Sequence, residues 1–120
     1  DLIKNNELPQ VSENDSVVKV IVEISEKRLG VTAVIKNDKI IGIITDGDLR
    51  RMLSKTTEIN NFTAKDIMGN NPKTINENAM AIEALDALEN NSITQILVTD
   101  DTNRYAGVVH LHDLIKEGIF

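Results

Sequence analysis

Lys39-Ile40-Ile41-Gly42-Ile43-Ile44-Thr45-Asp46-Gly47-Asp48-Leu49-Arg50 is answered later in the chain by Tyr105-Ala106-Gly107-Val108-Val109-His110-Leu111-His112-Asp113-Leu114. In each stretch an apolar, β-branched run meets a polar turn and then the start of a helix. Each also sets a hydroxyl or an imidazole, Thr45 or His110, three residues before a carboxylate, Asp48 or Asp113. A strand-to-helix corner made twice predicts two related pockets, and a ligand-sensing module ahead of an enzyme.

The repeat extends beyond the corners, with a period of about 65 residues. Asp1-Leu2-Ile3 answers Asp66-Ile67-Met68, Val11-Ser12-Glu13-Asn14 answers Ile75-Asn76-Glu77-Asn78, and Val31-Thr32-Ala33-Val34 answers Ile93-Thr94-Gln95-Ile96. This alignment needs small register changes at Leu8-Pro9, at Arg28-Leu29 and in Asp100-Asp101-Thr102-Asn103. Turns and helix ends tolerate such changes best.

Within the first repeat, Asn14-Asp15-Ser16 offers capping oxygens before Val17, Val20, Ile21 and Ile24, which share one helical face. A helix is expected from Val17 to Arg28, stopped by Gly30. Strands follow at Val31 to Lys36 and Lys39 to Thr45, joined by Asn37-Asp38, residues that accept the positive φ of a tight hairpin. A helix from Asp46 to Ser54, capped by Asp46, would turn Leu49, Met52 and Leu53 inward. In the second repeat Asn78 precedes a helix carrying Ile82, Leu85 and Leu88; strands are expected at Thr94 to Thr99 and Tyr105 to His110, and a last helix from Leu111. The polar stretch from Lys55 to Phe62 reads as a linker, and Thr63-Ala64-Lys65-Asp66 has capping-box spacing. The expected fold is α/β (α+β): two helix-strand-strand-helix repeats related by a pseudo-two-fold axis, at residues 1–55 and 66–120, with 56–65 between them.

Composition narrows the function. A half of ~60 residues would bury only ~60% of its unfolded surface alone, so the halves are expected to fold together. Phe62, Tyr105 and Phe120 are the whole aromatic complement of the 120 residues, and the formal net charge is −6. Stacking platforms and a basic face, the usual means of holding nucleic acid, are both missing. No cysteine is present, which removes disulfides, thiolate nucleophiles and sulfur-bound zinc. No apolar run approaches the ~20 residues that span a bilayer, and nothing at the N-terminus resembles a signal peptide, so a cytoplasmic setting is expected. The chain begins at Asp1, inside a repeat's opening motif, which reads as a piece of a longer protein.

Gly42-Ile43-Ile44-Thr45-Asp46-Gly47-Asp48 fits the Gly-x-x-Thr-x-x-Asp nucleotide motif, and Asp66-Ile67-Met68 the usual repeat opening, of the tandem cystathionine β-synthase (CBS) domain pair, or Bateman module. The chain resembles that family over essentially its whole length. Thr45 to Arg51, Leu29-Gly30-Val31-Thr32 and His110 to Leu114 further resemble the C-terminal CBS pair of arabinose 5-phosphate isomerases of the KdsD/KpsF type. Those enzymes act on the route to Kdo, a sugar of lipopolysaccharide and some capsules, and their chemistry belongs to an N-terminal sugar-isomerase domain. The resemblance implies a regulatory region that is not itself an enzyme, partnered by that domain and by a second copy in a homodimer. It implies a nucleotide or nucleotide-sugar ligand, with CMP-Kdo, CMP, AMP, ADP and ATP as candidates and no required cofactor.

The residues suit that chemistry. Free N–H groups and the positive end of a helix dipole at each corner favour phosphate. An ionised Asp48 or Asp113 can accept from ribose hydroxyls, and Thr45 can donate to phosphate. His110 stands where the family has Thr, and its imidazole donates more strongly when protonated. Thr32, Thr94 and Gln95 are candidate base or sugar contacts, and Arg50, of the pair Arg50-Arg51, a candidate phosphate contact. Blander readings stand beside these: Asp48 as a helix cap, Thr45 and Thr32 as good strand residues, Arg50 as a solvated helix end. His110-Leu111-His112-Asp113 also invites a metal reading, but two-residue alternation fails past a strand end and no further ligands are visible. The competing functions are a ligand-free dimerisation scaffold, a CBS pair of another parent enzyme or transporter, and an enzyme using Asp46, Asp48, His110, His112 and Asp113.

Overall fold

The computed structural model describes residues 7–118. They form two compact units, one of Pro9–Pro72 and one in which Glu7 and Leu8 join the residues from Lys73 onward.

The first unit runs β1 (Gln10–Ser12), α1 (Val17–Lys27), β2 (Val31–Lys36), β3 (Lys39–Thr45), α2 (Asp46–Lys55), a 3-10 turn (Ile59–Asn61), α3 (Ala64–Ile67) and β4 (Gly69–Asn70). Its sheet has the order β1-β2-β3-β4, with β1 parallel to β2 and the other pairs antiparallel. Ser16 starts α1 by accepting the Lys19 N–H at 3.2 Å. Val17, Val20 and Ile24, spaced three and four apart, turn inward. The helix ends one residue earlier than expected, because Arg28 itself takes the left-handed conformation (φ 59°) and bonds back to the Ile24 carbonyl. Gly30 (φ 71°) then redirects the chain. Asn37 and Asp38, at φ 52° and 65°, make the two-residue hairpin.

The second unit runs β5 (Thr74–Asn76), α4 (Ala81–Asn90), β6 (Gln95–Thr99), β7 (Tyr105–His110) and α5 (Leu111–Lys116). Its sheet is β5-β6-β7, again parallel then antiparallel. Each repeat is therefore strand-helix-strand-strand-helix. The opening strands β1 and β5 have three residues each, too few for alternation to announce them.

Several expectations are corrected. Leu53 does not face inward but is 48% exposed, and Ile82, carried by the second-repeat helix with Leu85 and Leu88, is 50% exposed where they are buried. The stripe on α2 is centred on Leu49 and Met52, with Leu53 at its edge, and that on α4 on Ala84, Leu85 and Leu88, with Ile82 well round the helix. Asn78 does not cap α4: Met80 is the N-cap residue and bonds nothing through its side chain, while the Asn78 amide bonds Asp101. Stretch 56–65 is docked rather than extended between repeats, because Ile59 and Phe62 pack on the first core. Its backbone is also tied to the loop before α1, through Val17 N–H to Phe62 O at 3.2 Å and Ala64 N–H to Asp15 O at 2.8 Å. The Thr63–Asp66 capping box is present, with Thr63 N–H to Asp66 Oδ2 at 2.8 Å. The opening motif Asp1-Leu2-Ile3 lies outside the described residues.

The strand registers also correct the repeat alignment. Val34 faces Gly42 across its ladder, and Val98 faces Gly107. Val31 therefore corresponds to Gln95 and Thr32 to Ile96, two places from the expected match of Thr32 with Thr94. No change is needed at Arg28-Leu29. Between the two hairpins one extra residue suffices, and it falls in the Asp100–Arg104 loop, where a longer turn costs little.

Candidate functional site

Each corner is built by the same turn from a sheet strand into a helix. In the first unit Thr45 ends β3 in extended conformation and serves as N-cap of α2. Its Oγ1 accepts the Asp48 N–H at 3.2 Å, while Asp48 Oδ2 accepts the Thr45 N–H at 2.9 Å and the Thr45 hydroxyl at 3.1 Å. Thr45 and Asp48 thus form a reciprocal capping box, and the expected cap, Asp46, sits exposed in the first turn instead. The remaining oxygen of Asp48, Oδ1, is ion-paired with Arg51. Arg51 is one helical turn from Asp48, whereas Arg50, the expected phosphate contact, makes no ion pair among the described residues and does not line the cavity described next.

Beside this corner lies a cavity of about 360 Å³. One wall is a single face of α2 and its end: Asp48, Arg51, Met52, Lys55 and Thr56. Phe62, Asp66 and Ile67, from the segment expected as a linker and from α3, form the other. It combines an aromatic and aliphatic floor with two cations and two carboxylates, a lining suited to a small molecule that is part ring and part ion. Lys55, Phe62 and Asp66 were not legible as site residues; the spacing of three and four from Asp48 picks out Arg51, Met52 and Lys55 once α2 is known to be a helix.

The second corner has the same backbone and different side chains. His110 is the N-cap of α5, and its Nδ1 accepts the His112 N–H at 3.0 Å. The rings of His110 and His112 stand edge to face with centroids 6.5 Å apart. With Nδ1 an acceptor, the imidazole keeps Nε2 as its donor. Asp113 is half-buried, and its carboxylate makes no side-chain bond among the described residues.

Of the other candidates, Gln95 faces His110 across the β6–β7 ladder. Thr94 lies just before β6, where its carbonyl accepts the Leu111 N–H at 2.7 Å and its hydroxyl bonds Gln95 Oε1 at 3.0 Å. Thr94, Gln95, His110 and Asp113 are thus gathered at one end of the second sheet. Thr32 is not: it is completely buried opposite Ile44, its hydroxyl bonded to the Ala33 carbonyl at 3.2 Å.

The family model of the CBS domain matches the chain twice, at residues 2–55 and 64–119. The chain belongs to the CBS domain family. Its two matches make it a CBS pair, consistent with the C-terminal CBS region of arabinose 5-phosphate isomerases. It is 42% identical over 113 residues to the arabinose 5-phosphate isomerase KdsD of Francisella tularensis, and 31% identical over 115 residues to KdsD of Escherichia coli K12. These matches take in 94% and 95% of the chain but 35% of each isomerase, so the chain spans about a third of the curated relatives it matches. Among solved structures, the CBS domain pair of protein MJ0100 in complex with 5′-methylthioadenosine and S-adenosyl-L-methionine superposes with TM-score 0.85 at 21% identity, covering 97% of this chain and 91% of that one. An AMP complex of a CBS domain protein from Pyrobaculum aerophilum gives 0.83 at 17% identity, covering 92% and 85%. These likenesses establish the CBS pair fold. Among the described residues no helix is long and apolar enough to cross a membrane.

Proposed function

We propose that this CBS pair is the regulatory nucleotide- or nucleotide-sugar-binding module of a cytoplasmic sugar-phosphate isomerase, an arabinose 5-phosphate isomerase of the Kdo route. The observation that carries the binding half is the first corner: Thr45 and Asp48 stand on one strand-to-helix turn, and Asp48 lines a cavity with an aromatic and aliphatic floor and two cations. Asp48 takes ribose hydroxyls, Thr45 and the α2 N-terminus take phosphate, and His110 with Asp113 offers a second, chemically different corner. The AMP and S-adenosyl-L-methionine complexes named for proteins of the same fold support an adenosine-type ligand. Pathway logic favours CMP-Kdo, the activated end product, with CMP, ADP and ATP alongside.

Similarity to KdsD supports the parentage. The isomerase chemistry is assigned to the part of those relatives that this chain does not span, and the chain itself to regulation. Coupling must run both ways: a ligand that alters catalysis has its own affinity altered by the catalytic domain's state.

The test is thermal unfolding of the chain with AMP, ADP, ATP, CMP and CMP-Kdo, repeated on Asp48→Ala and Asp113→Ala. A ligand at about 100 times its Kd should add about 2.7 kcal/mol. A shift present in the wild type and lost in one aspartate variant locates the site. Binding without any effect on isomerase activity in the full-length enzyme removes the regulatory half.

A second reading, the homodimeric scaffold, is favoured by Val18 and Val22, successive residues on one face of α1 that are 44% and 47% exposed. It predicts a dimer whose stability ignores nucleotides.

A further inference from the structure

Asp48, the carboxylate on which the nucleotide reading relies, is engaged on both oxygens: Thr45 holds Oδ2 and Arg51 holds Oδ1. The guanidinium reaches it across Gly47, where a Cβ would stand 3.4 Å from Nη1 and 3.9 Å from Nη2 of Arg51. Alanine would just touch it; any longer side chain would compete for its place. Position 47 therefore helps seat the guanidinium over the first turn of α2.

The second corner lacks this arrangement. By the strand registers, Gly47 corresponds to His112 and Arg51 to Lys116, and the Asp113 carboxylate makes no side-chain bond among the described residues. The pairing belongs to the first corner alone.

Arg51 also lines the cavity, as does Lys55 one turn further along α2, and Lys55 makes no ion pair among the described residues. These facts set up an exchange. A ligand diol that settles on Asp48 Oδ1 competes with Arg51 for that oxygen, and a close fit displaces the guanidinium. A neutral nucleoside leaves the displaced guanidinium with water alone. A phosphorylated ligand gives it an oxyanion in a cavity that it already borders, beside a second cation, and guanidinium–phosphate contacts are charge-assisted and often bidentate.

We infer that Arg51 is a specificity-determining residue, which makes the Asp48 site select phosphorylated ligands over their dephosphorylated counterparts by trading the carboxylate for the ligand's phosphate. This rests on the nucleotide reading of Asp48 given above.

The experiment is calorimetric titration of the 120-residue chain with two matched pairs, AMP against adenosine and CMP against cytidine. The variants are Arg51→Gln, Arg50→Gln and Asp48→Asn. Arg51 is 67% exposed, so Arg51→Gln should keep its fold, which far-UV circular dichroism checks. In Arg51→Gln the nucleotide should weaken about tenfold, the scale of a charge-assisted bond. The nucleoside should tighten, by up to about fivefold, because the exposed pair it had to break is gone. The selectivity ratio thus falls by an order of magnitude or more. Arg50→Gln removes the same charge from the neighbouring position and should leave the ratio within about twofold. A ratio unchanged in Arg51→Gln, or one that collapses in Arg50→Gln instead, overturns the inference while nucleotide binding lost in Asp48→Asn still upholds the site. No binding of any of the four compounds by the wild type sinks the site and the inference together.

Discussion

Replacing Thr45 by alanine separates what the first corner does for the fold from what it does for a ligand. The change deletes one oxygen with two partners: the Asp48 N–H that it accepts at 3.2 Å and the Asp48 Oδ2 to which it donates at 3.1 Å. The Asp48 N–H belongs to the first turn of α2 and has no carbonyl four residues back to accept it. Loss of a Thr N-cap costs typically about 1 kcal/mol, within a range of roughly 0.5 to 2. The lower half of that range is excluded here, because the half-buried Asp48 carboxylate also loses a donor. We expect about 1 to 1.5 kcal/mol, a fall in Tm of about 3 to 8 °C for a protein of this size.

Thr63 supplies an internal standard. It holds its Asp66 carboxylate in the same way, at 2.8 Å for the N–H and 3.1 Å for the hydroxyl, but the Asp66 N–H bonds the Thr63 carbonyl at 3.0 Å rather than the hydroxyl. Urea denaturation of Thr45→Ala, Thr45→Ser and Thr63→Ala should give the largest loss for Thr45→Ala, a smaller one for Thr63→Ala, whose hydroxyl accepts no helix N–H, and only a few tenths of a kcal/mol for serine, which keeps the oxygen. Nucleotide-induced stabilisation, measured within each variant, should disappear for Thr45→Ala and persist for Thr63→Ala. An alanine at 45 costing no more than serine would refute the capping argument. Equal retention of the nucleotide effect in both alanine variants would refute the ligand role of Thr45.

Four further outcomes are expected. Leu88→Ala, at a position 1% exposed, should cost about 2 to 5 kcal/mol by chemical denaturation, while Ile82→Ala on the same helix, at 50% exposure, should stay within about 0.5. A Cβ at Gly42 would overlap the Met68 side chain and stand 3.1 Å from the Gly69 carbonyl, so Gly42→Ala should destabilise by about 1 to 3 kcal/mol and be partly rescued by Met68→Ala, as a double-mutant cycle would show. Met80→Ser installs the cap that Ser16 provides in the first repeat, at an N-cap residue already extended and 65% exposed, and should raise Tm through a gain of about 0.5 to 1 kcal/mol. The Asp100 carboxyl is held below its ordinary value of 3.8, first by the Arg104 N–H and then by the Thr102 hydroxyl. Its stabilising contribution is therefore complete above that value and is lost as pH falls through the lower folded pKa, so Tm should drop in acid more steeply for the wild type than for Asp100→Asn.

The sequence made the long strands, the hairpin at Asn37-Asp38 and the two corners legible because each is decided locally, by β-branched runs, residues tolerant of positive φ and capping oxygens. Helix faces were harder to read. Leu53 lies close enough to the apolar stripe of α2 to be counted with it, and Ile82 is apolar though it lies well round α4; only the packing of the sheet behind each helix settles which residues form the stripe. The Thr32–Thr94 match failed for a similar reason: both are threonines near a strand start, but hydrogen-bond register is a long-range property that side-chain resemblance does not encode. The cavity was invisible because one of its walls comes from residues 62–67, whose polar neighbours hide that Phe62 and Ile67 are anchored against the first core.

The site reading and the bland reading of Asp48 turn out to describe the same atoms. Its carboxylate caps α2 and pairs with Arg51, so any ligand that uses it must compete with interactions that hold the helix start in place. That competition ties occupancy to the local stability of α2, which gives a binding event at the first corner a direct mechanical consequence. At the second corner the cap is His110 Nδ1 rather than the carboxylate. Asp113 can therefore accept a ligand without loosening α5. Two corners with one backbone thus differ in what ligand binding disturbs: at the first it bears on the helix, and at the second on little but the carboxylate itself. For the sensing role proposed above, the Thr45–Asp48–Arg51 corner is therefore the one at which occupancy bears on the stability of a helix.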